Sequence, residues 1–252
     1  MKSKAKKTVR IVLLTLFLLL IAAAVYFFQF TTYGYLISIP FRHSFAEFGE
    51  HMYINRSYSG GSSEPEALIS QAQERVRAFY GDLCCMEHTY LIICDDPALK
   101  PKLGDGKETN TLRFPFQKHL TNYIYLSDEY LNLDIISHEL THAELHSRLS
   151  LDALKKLPTW FDEGIATQND YREQYGPAAW TEQTDSGKNA LAPEEMDTPA
   201  EFYAGTAEDR RFRYLNAKHI VGEWMDAHGS DGLLKLMEQL NSGTDFAAAY
   251  GE

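Results

Sequence analysis

The first strong hydrophobic pattern along the chain lies near its N-terminus. Residues 11–28 carry no charge, and a helix of this length, rising ~1.5 Å per residue, covers about 27 Å, close to the hydrocarbon thickness of a bilayer. The pattern predicts a transmembrane anchor at residues 11–28 after a short segment at residues 1–10. A cleaved signal peptide is the alternative, because the alanines at 22–24 fit a cleavage site. The apolar residues at 25–28 continue the run and favour a retained anchor.

The next stretch changes character. Residues 29–65 mix aromatic with polar residues and end in a flexible Ser/Gly-rich stretch, which predicts a juxtamembrane segment or linker in which Tyr53-Ile54 fits a short strand. The folded domain is predicted at residues 66–252. It begins with a helical apolar spacing over residues 66–80. Buried strands are predicted at residues 90–94 and 122–126, and a long loop at residues 97–121.

Helical periodicity dominates the rest of the chain. An apolar stripe predicts a helix over residues 131–149, with Asn132 or Asp134 as its N-cap, and Pro158 opens a second helix that runs to about residue 168. Irregular structure is predicted for residues 170–205. Further helices are predicted at 206–228, 230–241 and 244–250. The order predicts an α+β fold: a small mixed β-sheet, then a mostly helical C-terminal part, all preceded by one N-terminal transmembrane helix.

Charge is distributed unevenly along the chain. Five of the 24 basic residues lie within the first ten positions, and the remainder of the chain carries 19 basic and 35 acidic residues, a net charge of −16. Such a surface repels phosphate backbones, so no nucleic-acid partner is expected. The basic cluster before the apolar run predicts a cytoplasmic N-terminus and an extracytoplasmic domain, periplasmic or extracellular, in a single-pass cell-membrane protein.

The three cysteines do not form a metal or disulfide framework by spacing. Cys84 and Cys85 are adjacent, and Cys94 is nine residues beyond the second of them, without the paired C-x-x-C spacing of a structural zinc site. Buried free thiols are one reading. A bridge from one of the adjacent pair to Cys94 is the other.

A metal-binding motif lies within the helix predicted at 131–149. His138-Glu139-Leu140-Thr141-His142 is an H-E-x-x-H sequence, and histidines at i and i+4 lie on one helix face, where both reach a single ion. Glu139 is rotated by ~100° from His138, beside the ion, where it can take a proton from a water. Zn²⁺ is the expected cofactor, with His138 and His142 as ligands.

A zinc site needs a third protein ligand. Glu163 follows His142 by 21 residues and lies in the first turns of the helix that Pro158 opens. Asp162 beside it is a rival ligand. His146 is an alternative as well, although a third histidine one turn further along drifts by ~80° from His138 around the helix.

This combination of H-E-x-x-H and a downstream glutamate helix resembles the gluzincin zinc metallopeptidases. The run P-x-W-x-x-E-G-x-A at residues 158–166 is similar to the glutamate helix of small bacterial peptidase-MA-like proteins. The resemblance covers about residues 50–252. It implies that His138, His142 and Glu163 hold the metal, that the protein hydrolyses peptide bonds in a peptide or protein substrate, and that Trp160 and Phe161 pack the glutamate helix against the histidine helix.

The resemblance also implies further parts of the site. Tyr214, before an apolar helix, is the expected donor to the oxyanion of the transition state, with Tyr203 and His219 as rivals. The strand at 122–126 is expected to be the sheet edge that pairs with an extended substrate. One departure concerns Thr167, which stands where thermolysin-type enzymes carry an aspartate that orients a metal-binding histidine.

The expected function is therefore a membrane-anchored, exported zinc metallopeptidase in which Glu139 is the general base that acts on a zinc-activated water. Two alternatives belong to other classes: a catalytically degenerate member that keeps zinc, and a membrane-tethered interaction protein without metal. The intact Glu139 argues against the degenerate member, because a structural zinc site has no use for a base.

Overall fold

The computed structural model of the chain describes residues 2–104, 109–113, 121–127 and 130–251. The helices in these ranges are α1 (Lys2–Phe30), α2 (Thr32–Ile37), α3 (Ser63–Tyr80), α4 (Lys100–Gly104), α5 (Leu133–Arg148), α6 (Leu151–Leu154), α7 (Thr159–Gln168), α8 (Pro177–Gln183), α9 (Pro199–Phe202), α10 (Ala207–Asn241) and α11 (Phe246–Tyr250). The strands are β1 (Phe45–Gly49), β2 (Met52–Asn55), β3 (Thr89–Cys94), β4 (Thr109–Arg113) and β5 (Asn122–Ser127). The α+β class with a mixed sheet is confirmed.

The N-terminal apolar helix is also confirmed. Within α1, the 23 residues Thr8–Phe30 are long and apolar enough to cross a membrane, and none of that stretch is buried against the rest of the protein. A secretory signal sequence shares these properties. Only Thr31 separates α1 from α2.

The sheet has the strand order β1-β2-β3-β5-β4. β2, β3 and β5 are parallel to one another, while β1 and β4 pair antiparallel at the two edges. The segment at residues 29–65, which the sequence assigns to a region before the domain, thus supplies α2, β1 and β2 to the folded body. The strand expected at 122–126 is not an edge: β5 pairs with β3 on one side and β4 on the other.

Both faces of the sheet are covered, which explains the continuous apolar sequence of β3. Leu91 and Ile93 face a large core built with α3, α5, α7 and α10. Ile92 and Cys94 face a smaller core built with α2 and α4. β5 alternates in the same way, because successive side chains of a strand point to opposite faces.

The helices predicted from the sequence agree with the structure more closely than the predicted loop does. α5 starts after Asn132, whose side chain accepts a hydrogen bond from the backbone N–H of Ile135 at 3.0 Å, so Asn132 rather than Asp134 is the N-cap. α10 is broken at Gly229, where φ is +64°, as the sequence predicts. The predicted loop at 97–121 contains α4 and β4, and residues 105–108 and 114–120 lie outside the described residues.

Two expectations about smaller features have clear outcomes. Cys84, Cys85 and Cys94 are all free thiols. Trp160 and Phe161 are buried in the same core cluster as the apolar side chains of α5, and their rings also contact Phe246 and Tyr250 of α11. They therefore pack the start of α7 against the C-terminal helix.

Candidate metal centre

Helix α5 supplies two imidazoles and a carboxylate to a buried position. His138 and His142 lie one turn apart with their ring centroids 4.8 Å from each other, and they are 9% and 8% exposed. Glu139 is 8% exposed. The other face of α5 carries Ile136 and Leu140, which are fully buried in the core. Core packing therefore fixes the direction in which the two histidines point.

Helix α7 brings two acidic side chains to the same place. Its first backbone N–H groups are satisfied from outside the helix, because those of Thr159 and Trp160 donate to the carbonyls of Asp197 and Met196 at 2.8 and 3.1 Å. Asp162 and Glu163 follow in the next positions. Consecutive helical residues differ by ~100° in direction, so the two carboxylates approach His142 from different sides.

Three donor atoms converge from these two helices. Nε2 of His138 lies 3.2 Å from Nε2 of His142. Oε2 of Glu163 lies 3.2 Å from Nε2 of His142 and 3.4 Å from Nε2 of His138. The structure thus brings together the three residues that the sequence proposes as ligands.

The spacing of these atoms fits a zinc ion. Zinc bonds to nitrogen or oxygen of ~2.0–2.1 Å in a tetrahedral arrangement place neighbouring ligand atoms about 3.3–3.4 Å apart. The three observed separations of 3.2, 3.2 and 3.4 Å match that edge length. Two imidazoles and one carboxylate are also the ligand types of catalytic zinc sites that keep one position open.

A second cluster has the composition of a metal site but different spacing. Nδ1 of His142 lies 2.7 Å from Oδ1 of Asp162, and Nε2 of His146 lies 2.8 and 2.7 Å from the two carboxylate oxygens. These are hydrogen-bond lengths between a ring N–H and a carboxylate, too short for neighbouring ligands of one zinc ion. Asp162 and His146, the rival ligands, therefore belong to a hydrogen-bonded group behind His142.

Asp162 in this hydrogen-bonded group orients the His142 ring, a role that Thr167 does not fill. The Thr167 hydroxyl donates to the carbonyl of Glu163 within α7, at 2.5 Å, and is fully buried there. A carboxylate that accepts the Nδ1–H of a ligand histidine fixes the tautomer that leaves Nε2 free for the metal. Asp162 stands in that relation to His142. The sequence offers it only as a rival ligand, although its position directly before Glu163 is the signal of its role.

The charges in the centre are set by close contacts. Burial by itself raises the pKa of Glu163, but the positive charge of His142 and hydrogen bonds from both histidines outweigh it and lower the pKa to about 2. Burial likewise lowers the pKa of His142, and the charges of Asp162 and Glu163 raise it well above its usual value. Acidic groups buried this densely favour a bound cation.

Two tyrosines complete the wall of the centre. The Tyr203 hydroxyl donates to Oε1 of Glu163, on the side away from the histidines. Tyr214 packs edge-on against the His138 ring, with the centroids 6.0 Å apart. Burial and the negative charges of Glu163 and Glu139 raise the pKa of both tyrosines, so both hydroxyls stay protonated and able to donate.

His219, the third candidate for the oxyanion donor, lies elsewhere. Its ring stacks on Trp180 with 3.5 Å between centroids, and its Nε2 is 3.5 Å from the Glu223 carboxylate. His219, Trp180 and Glu223 line a surface pocket of about 390 Å³ together with Tyr175. The structure thus brings Tyr203 and Tyr214 to the metal ligands but not His219.

Comparison with known proteins adds no family to this description: no protein-family model matches the chain, and no curated protein matches it significantly. The chemistry of the centre is therefore inferred from its own residues.

Proposed function

We propose that the chain is a membrane-anchored zinc metallopeptidase of the gluzincin type. The observation that carries the proposal is the convergence of His138, His142 and Glu163 at the spacing of tetrahedral zinc ligands, beside a buried Glu139. A structural zinc site is normally closed by four protein ligands, whereas three ligands with an adjacent carboxylate are the arrangement of a catalytic site.

Zinc bound by these three residues supplies Lewis acidity, which polarises a substrate carbonyl and makes a water nucleophilic near neutral pH. The protein's own contribution begins with alignment. Asp162 accepts the Nδ1–H of His142, and the Tyr203 hydroxyl donates to Glu163, so two of the three ligands are held from behind. These contacts fix the ligand atoms before substrate arrives.

Glu139 is the general base in this proposal. It follows His138 directly on α5, so its side chain lies beside the metal position rather than pointing at it. It takes the proton of the attacking water and delivers it to the amine that leaves. A group placed in this way contributes roughly 10²–10⁴-fold to the rate.

Tyr214 is the proposed donor to the oxyanion. Its hydroxyl is protonated because burial and nearby carboxylates raise its pKa, and its ring is held against His138 and Phe202. Tyr203 is a weaker candidate for this role, since its hydroxyl already donates to Glu163. A preorganised donor of this kind is worth roughly 10²–10³-fold in kcat.

An extended peptide is the proposed substrate. Because β5 is paired on both sides, the edge available on that side of the sheet is β4, which pairs antiparallel with β5 and also contacts α5. Addition of a peptide strand to such an edge would align a scissile bond with the histidine helix. The proposed localisation is single-pass in the cell membrane, with a cytoplasmic N-terminus and an extracytoplasmic catalytic domain.

The test is hydrolysis of a quenched fluorescent peptide library and of casein by the full chain in detergent. Zinc-loaded wild type should cleave, the chelator-treated protein should not, and added zinc should restore cleavage. Glu139→Gln should lose activity while keeping zinc, and Glu208→Gln, which changes an exposed carboxylate at the start of α10, should behave as wild type. Stoichiometric zinc without hydrolysis of any substrate would contradict the peptidase and leave a non-catalytic zinc protein.

A further inference from the structure

The apolar helix α1 joins the folded body without a flexible linker. Thr31 is the one residue between α1 and α2, and it serves both helices: its hydroxyl donates to the Phe27 carbonyl at 2.7 Å and accepts from the Gly34 N–H at 3.1 Å. A side chain at Gly34 would place its Cβ 2.1 Å from the Phe27 carbonyl oxygen, so only glycine allows this close approach. The end of α1 is therefore packed against α2.

Arg42 also connects the end of α1 to the segment that follows it. Its guanidinium donates to the Phe28 carbonyl and to Oε1 of Gln29, the latter at 3.3 Å. It also donates to the Ser38 hydroxyl at 2.8 Å and lies 3.6 Å over the ring of Tyr35. These contacts place Arg42 at the level of the last turn of α1.

Exposed aromatic side chains surround this junction. Phe41, directly before Arg42, is 86% exposed, while Phe30 and Tyr33 are 73% and 46% exposed. The stretch Thr8–Phe30 spans ~34 Å as a helix, slightly more than the ~30 Å hydrocarbon core. If α1 crosses a bilayer, these three rings stand at the depth of its headgroups, where aromatic residues concentrate.

The local charge differs from that of the whole domain. The chain after its first ten residues carries a net charge of −16, yet the junction presents Arg42 and the exposed Lys102, whose ammonium is 5.4 Å from the centroid of the Tyr35 ring. Basic and aromatic side chains together suit an interface with anionic headgroups.

We propose that residues 30–42 form a membrane-contact surface, with Phe41 and Tyr33 inserted at the lipid interface beside the exit of α1. The occupant is the headgroup region of the bilayer that α1 spans. Since α2 covers one face of the sheet and α5 the other, this contact holds the metal centre on the layer away from the bilayer. The inference rests on the membrane anchoring in the proposed function but not on zinc or on hydrolysis, so failure of the zinc site would leave it standing.

Photo-crosslinking to lipid tests the surface. The full chain, with p-benzoylphenylalanine introduced in turn at Tyr26, Phe41 and Tyr171, is reconstituted in phosphatidylcholine–phosphatidylglycerol vesicles, irradiated and examined by mass spectrometry for lipid adducts. Tyr26 lies within α1, and Tyr171 is a 62% exposed aromatic residue of the folded body. Adducts are expected at positions 26 and 41 and not at 171. Position 41 without adducts, position 26 without adducts, or equal yields at 41 and 171 would each overturn the proposal.

A second variant tests whether the Arg42 contacts hold Phe41 at the lipid interface. Arg42→Ala removes the bonds to the end of α1, so the lipid adducts at position 41 should be lost or strongly reduced. Lys188→Ala removes a charge from an exposed lysine remote in sequence and should leave the yield unchanged. Equal yields in the two variants would contradict the role of Arg42.

Discussion

Asp162→Asn perturbs the support behind the metal centre without touching a proposed ligand. Asp162 accepts from Nδ1 of His142 at 2.7 Å and from Nε2 of His146 at 2.8 and 2.7 Å. Asparagine keeps one oxygen acceptor, so the N–H of His142 can still find a partner, but the negative charge is lost. Asp162→Ala removes the acceptor as well.

The expected loss of zinc affinity follows from this difference between the two variants. Removal of a carboxylate that orients a metal-binding histidine costs about 10–100-fold in metal affinity or activity, or about 1.4–2.7 kcal/mol. The side chain of Asp162 is 25% exposed, and solvent therefore weakens the contact in part. We expect a zinc affinity about 10-fold weaker for Asp162→Asn and about 100-fold weaker for Asp162→Ala.

Competitive titration of metal-free protein against a fluorescent zinc chelator measures these affinities. His146→Ala removes one partner of Asp162 but leaves His142 bonded, so its loss should be smaller than that of Asp162→Asn. Asp152→Asn, at an 86% exposed carboxylate on α6, should bind zinc as wild type. Asp162→Ala that is folded by circular dichroism and binds zinc with wild-type affinity would refute the orienting role.

Three further changes have defined outcomes. Tyr203→Phe removes the hydroxyl bonded to the ligand carboxylate and should weaken zinc binding up to about 10-fold in the same titration, whereas Tyr214→Phe should keep zinc affinity and lower kcat by roughly 10²–10³-fold. Zinc binding near pH 7 should release about one proton, because the pKa of His142 is raised well above its usual value in the metal-free protein. Calorimetry in buffers of different ionisation enthalpy measures this release. The apparent zinc affinity should rise with pH until the pH passes the pKa of His142. Gly164→Ala places a Cβ 2.7 Å from the Ala217 carbonyl oxygen of α10, so urea unfolding should show a loss of about 1–3 kcal/mol.

Features with a local signal could be predicted from the sequence. The helical spacing and cap of α5 depend on neighbouring residues, and so does the break at Gly229, where a positive φ suits glycine. The convergence of His138, His142 and Glu163 could be predicted because the i, i+4 spacing places the two histidine side chains on one helix face. The third ligand, Glu163, requires only that a second helix begins nearby.

Features created by tertiary pairing could not be predicted in this way. β2 joins the sheet by pairing in parallel with β3, which follows it only after the whole of α3, and β1 pairs with β2 although it falls in a stretch that reads as a linker. The hydroxyl of Tyr203 reaches Glu163 across 40 residues of chain that include α8 and α9. The dual use of Asp162 by His142 and His146 likewise depends on how α7 crosses α5, which no periodicity specifies.

Elemental analysis of bound zinc in the purified full chain tests the central claim most directly. We expect about one zinc per chain in wild type and in Glu139→Gln, and almost none in His142→Ala, because only the last change removes a donor atom. Well-folded wild-type protein that holds no zinc after zinc is added back would contradict the account.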